Sequence, residues 1–103
     1  MIYKMDQIIG LICGVYDAIT PKDISNFKHF NTICDKLIIA LKPSVLNTFE
    51  DRIKLLKLVP SIDDVIIFED TDEFKQKNFD IIFVDSKEIF KDLYFKGPVY
   101  YFN

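Results

Sequence analysis

At 103 residues the chain has the size of one domain and can bury roughly 65% of its unfolded surface without metals or disulfides. Half of its residues are apolar and 28% are charged, with 13 basic residues against 16 acidic ones for a net charge of -3. That balance argues against nucleic acid as the main partner, because each basic run has acids nearby, and no apolar run approaches the ~20 residues of a membrane span.

The first apolar run, Gln7–Val15, reads as a buried strand that leaves through a tight Gly14-Val15-Tyr16-Asp17 exit. A loop then opens a helix at Thr20-Pro21, in which Ile24, Phe27, Phe30, Ile33 and Cys34 recur at helical spacing. Lys36–Leu41 is a second strand, followed by a helix with Phe49, Ile53, Leu56 and Val59 on one stripe and Leu55 alongside. Asp64–Phe68 is a third strand, Phe79–Val84 a fourth and Pro98–Phe102 a fifth, separated by a short helix near Thr71–Lys77 and another near Lys87–Phe95. Most of these runs are rich in Ile and Val with little polar alternation, as in strands covered on both faces of a parallel sheet.

Helix starts are marked by a capping side chain with a carboxylate three residues on: Thr20 with Asp23, Thr48 with Asp51, Asp70 with Glu73, and Asp85 with Glu88. Pro21 takes the first helical position, where its missing N–H costs nothing. The alternation predicts an α/β fold spanning 1–103 as a single domain, a three-layer α/β/α Rossmann-like sandwich with a five-stranded parallel sheet. The first strand is expected at the centre, with its carboxyl end as the default ligand crevice.

Cys13 falls in a strand and Cys34 on the apolar face of a helix, which reads as two buried inert thiols in a reducing compartment. Two cysteines and the lone His29 cannot supply a zinc site at these spacings, so no metal is expected. His29 lies mid-helix beside Phe30, and there is no Gly-x-Ser-x-Gly or phosphate-binding Gly-Lys-Ser motif. The N-terminus lacks a signal-peptide pattern, which with the cysteine usage points to the cytoplasm. Abundant Ile and Lys, scarce Ala and a single arginine suggest an AT-rich genome, bacterial, phage or viral, and so leave open a place within a viral or phage assembly.

Gly14-Val15-Tyr16-Asp17, the spacing to the next helix, and Cys34-Asp35-Lys36-Leu37-Ile38-Ile39-Ala40-Leu41 resemble the cytidylyltransferase-like nucleotidyltransferases, including the glycerol-3-phosphate, choline-phosphate and ethanolamine-phosphate cytidylyltransferases. Phe49-Glu50-Asp51-Arg52 and Ile62-Asp63-Asp64-Val65-Ile66 look like the family's Glu-x-Arg helix and following strand. Asn78-Phe79-Asp80-Ile81-Ile82 is similar to the segment before its Gly-Asp loop. The likeness runs through nearly the whole chain in the same order. It implies nucleotide binding at Gly14, Tyr16, Asp17, Lys22 and Arg52, with CTP and magnesium as cofactors if the chain is active.

The family's chemistry motif is missing. Where its members carry His-x-Gly-His, this chain has Thr20-Pro21-Lys22-Asp23, without imidazole or glycine. Asp23 sets a carboxylate at the positive end of the helix, where it would repel a triphosphate. Lys22 can bind phosphate as a point charge but cannot relay protons at neutral pH as imidazole does. Asp85-Ser86-Lys87 lacks the glycine of the Gly-Asp loop, and the Arg-Thr-x-Gly-x-Ser-Thr segment expected after the fifth strand is not in the sequence. Removing one transition-state stabiliser typically costs about 100- to 1000-fold in rate. No catalytic residue is therefore assigned, and a protein-binding or structural role is expected, through a protein partner or a homodimer. The alternative is a residual nucleotide binder or altered cytidylyltransferase that transfers CMP to a phospho-alcohol. For Arg52 two roles stay open, gripping an anion or pairing with a carboxylate across a helix or subunit contact. Asp17 needs no more than a structural role, bonding nearby backbone N–H groups. The aromatic tail (Tyr94, Phe95, Tyr100, Tyr101, Phe102) either offers apolar surface to a partner or completes the core.

Overall fold

The computed structural model describes residues 7–71, 74, 78–86 and 97–103. Its elements run β1 (Ile9–Gly14), α1 (Pro21–Ile33), β2 (Lys36–Leu41), α2 (Phe49–Leu56), β3 (Asp64–Ile67), β4 (Ile81–Asp85) and β5 (Val99–Phe102). The five strands form one sheet in the order β3-β2-β1-β4-β5, and every neighbouring pair is parallel. The predicted Rossmann-like sheet is present with its first strand central. The predicted helix near Lys87–Phe95, and most of the one near Thr71–Lys77, lie outside the described residues. Phe74 within the latter is helical, and its N–H is capped by Thr71 Oγ at 3.0 Å.

Parallel strands have no hairpin to set their register, and here three aspartates supply the constraint. Asp35 donates its N–H to Ile8 O at 2.8 Å while its carboxylate accepts the Ile8 N–H at 2.7 Å. Asp63 repeats the exchange with Leu37, at 2.9 and 2.7 Å, and Asp80 with Ile9, at 2.7 and 2.8 Å. Each precedes the first paired stretch of β2, β3 or β4, and its carboxylate extends the ladder by one rung. This is also why β4 begins at Ile81 rather than at the predicted Phe79. The strand-entry motifs Cys34-Asp35, Ile62-Asp63 and Phe79-Asp80 are thereby explained as joinery.

The fixed register sorts side chains between two faces. Ile12, Leu37, Ile39, Leu41, Val65 and Phe83 are buried with Phe27 and Phe30 of α1 and Leu56 of α2. Leu11, Cys13, Ala40, Ile82 and Val84 are buried on the opposite face, with Phe68, Phe74 and Phe79 packed against them. At about 100° per residue, the α1 stripe centres on Phe27 and Phe30, with Ile24 and Ile33 toward its margins; Cys34, expected on the helix, is instead its extended C-cap. Ile24 accordingly is exposed. Gly10 is required for space. A Cβ there would stand 2.7 Å from Phe83 Cε2 and 2.9 Å from Cys34 Sγ, and the Phe83 ring is held by stacking on Phe30 at 4.2 Å.

Both cysteines are free and buried, as expected. Burial pushes the Cys34 thiol pKa up, opposed by a main-chain hydrogen bond from Gly10 and reinforced by the Asp63 and Asp35 carboxylates.

Two outcomes follow from this arrangement. Asp63→Ala, which leaves the Leu37 N–H without its acceptor, should lower unfolding free energy by about 1 kcal/mol, and Asp63→Asn, which keeps an oxygen, by less; urea titration reads both. Because the folded Cys34 thiol holds its proton beyond the ordinary thiol range, its contribution is complete below the ordinary thiol pKa of about 8.5 and is lost as pH rises through and above it. Comparing unfolding at pH 7 and 10, the wild type should lose more stability than Cys34→Ala does.

Candidate functional site

The carboxyl ends of β1 and β2, together with the amino ends of α1 and α2, form the region where a ligand of this fold class would lie. β1 leaves the sheet through Tyr16, whose φ of 50° is a left-handed conformation that costs a non-glycine residue roughly 1–2 kcal/mol. The ring holds it there. It meets Phe27 edge-on with centroids 5.5 Å apart and folds back over Gly14, where a Cβ would come within 2.7 Å of Tyr16 Cε2. Gly14 has no positive φ, so the exit needs its lack of a side chain and not its backbone freedom.

Asp17, the next residue, reaches across to the loop between β2 and α2. Ser44 Oγ lies 2.7 Å from both of its carboxylate oxygens and donates one hydrogen to them. Asn47 Nδ2 donates to Asp17 Oδ1 at 3.1 Å and to its main-chain oxygen at 3.2 Å, while Ser44 Oγ accepts the Leu46 N–H at 3.1 Å. Asp17 bonds side chains 27 and 30 residues away rather than the nearby N–H groups expected from the sequence. Ser44 and Asn47 were not singled out from the sequence. Their signal is a Pro-Ser-x-x-Asn run of loop formers directly before a capped helix.

Arg52 is 2% exposed and lies on the inner face of α2, one and two turns before Leu56 and Val59. Nε donates to Thr48 O at 3.2 Å, and Nη1 donates to Val15 O and Lys42 O, each at 2.7 Å. The guanidinium also stacks over the Phe49 ring, 4.8 Å from its centroid. The hydrogen bonds go to three main-chain carbonyls of the chain itself, partners the sequence did not point to. The physical reason is local. Val15 and Lys42 directly follow the paired residues Gly14 and Leu41, so both strands present carbonyls at one level, where Nη1 donates one hydrogen to each.

At the start of α1, Thr20 Oγ accepts the Asp23 N–H at 3.2 Å, and the Asp23 carboxylate accepts the Thr20 N–H at 2.9 Å and its hydroxyl at 3.0 Å. This is the predicted capping box, closed in both directions. The positive end of the helix is met by the chain's own carboxylate. Lys22 stands exposed on the same turn. At α2, Thr48 Oγ accepts the Asp51 N–H at 3.1 Å, and Glu50 adds a second acid to that first turn.

The β4 exit, where the resemblance would place the Gly-Asp loop, is tied to β5. Ser86 N and Oγ both donate to Phe102 O, at 2.7 and 2.6 Å, and Asn103 Nδ2 donates to Asp85 Oδ2 at 3.2 Å. His29 is exposed beside Tyr100, with Nε2 3.4 Å from the phenol oxygen. The structure thus gathers Gly14, Tyr16, Asp17 and Arg52 at one end of the sheet and leaves Lys22 and His29 on the outer surface of α1. Among the described residues no group of three His, Cys, Asp or Glu could hold a metal ion, and no helix is long and apolar enough to cross a membrane. A groove of about 490 Å³ lies on the other face of the sheet, with Ile38, Ile66, Phe74 and Phe79 among its walls and none of Gly14, Tyr16, Asp17, Lys22, His29 or Arg52.

Arg52→Met should cost about 1–3 kcal/mol by removing the side-chain donor from the part-buried Val15 and Lys42 carbonyls. Arg52→Lys should recover only part of this, because an ammonium cannot reproduce the fork. Thermal or urea unfolding of the two variants tests the ranking.

No protein-family model matches the chain, and no curated protein matches it. Among solved structures, it resembles the crystal structure of the lipopolysaccharide core biosynthesis protein from Thermoplasma volcanium GSS1, with a TM-score of 0.76 at 16% identity. The match covers 95% of this chain and 98% of that one. At this identity the likeness is one of fold, and the shared fold extends over nearly the full length of both chains.

Proposed function

We propose that this chain is a domain of the cytidylyltransferase-like nucleotidyltransferase type that does not transfer nucleotides and acts by binding another protein or a second copy of itself. The observation that carries this reading is the closed capping box at the start of α1. Thr20 and Asp23 satisfy each other where a phosphate would need free N–H groups and a positive helix end. The engagement of Arg52 with Val15, Lys42 and Thr48 supports the same reading, because a buried guanidinium so committed is not presented to an anion. The structural neighbour, named a lipopolysaccharide core biosynthesis protein, supports the fold part of this reading alone.

Support for a partner comes from the loop that Asp17 pins. Val45 is 100% exposed and Leu46 76% exposed at its tip, and Leu58, just beyond α2, is 77% exposed. A loop already ordered by Ser44 and Asn47 loses little conformational freedom on binding, which favours recognition.

Calorimetry with CTP or ATP plus magnesium should give no heat, and neither nucleotide should shift the melting temperature. A micromolar response, or pyrophosphate release from CTP and a phospho-alcohol that Lys22→Ala abolishes, would replace this reading with that of an altered cytidylyltransferase. The double variant Val45→Asp, Leu46→Asp should melt within about 0.5 kcal/mol of wild type, since both sites are exposed, yet lose any self-association seen by light scattering. Self-association that survives the double variant would move the contact elsewhere.

A further inference from the structure

We draw no further inference here: the strongest candidate, the groove of about 490 Å³ on the sheet face opposite α1 and α2, walled by Ile38, Ile66, Phe74 and Phe79, carries nothing because no feature of the structure shows what covers it.

Discussion

Three reciprocal hydrogen-bond pairs at the amino ends of the strands hold the architecture in register. Asp35, Asp63 and Asp80 each give an N–H to the neighbouring strand and take one back through the carboxylate. A one-residue slip in any of these pairs would turn the Ile12 series outward and the Leu11 series inward, exchanging the two cores. The same alignment acts at the far end of the sheet. Because Gly14 sits level with Leu41, the next carbonyls on β1 and β2 converge, and a single guanidinium can bridge them. The clamp at the carboxyl end thus presupposes the joints at the amino end.

At that carboxyl end, residue types suited to ligand chemistry are occupied with the chain itself. Asp17 takes up Ser44 and Asn47, Asp23 takes up Thr20, and Arg52 collects three carbonyls. Each connection links segments distant in sequence, or closes a helix end that would otherwise expose unpaired N–H groups. Electrostatically, the first turns of α1 and α2 carry Asp23, Glu50 and Asp51, so both positive helix ends are balanced by acids.

The strands and both described helices were legible in the sequence because their signals are local. Unbroken Ile and Val runs mark buried parallel strands, and Thr20 with Asp23 marks a helix start whose reciprocal bonds are present as expected. Arg52 was legible as a position of interest but not as a buried one. Helical periodicity assigns a charged residue to the solvent side by default, and only the convergence of two strand exits makes an inward arginine favourable. The partners of Asp17 were invisible for a related reason, since Ser44 and Asn47 approach it only once β1 and β2 are paired. The tight exit after Gly14 was legible, but not that its left-handed residue is Tyr16.

The packing of Tyr16 over Gly14 also constrains how this chain can diverge. The two positions share one volume, so a side chain at 14 is admissible only after the ring at 16 has shrunk or swung away. Replacing the tyrosine with glycine first relieves its strained backbone but uncovers Phe27. Mutational paths through this pair are therefore directional, with the order of the two steps deciding whether the intermediate carries a steric clash.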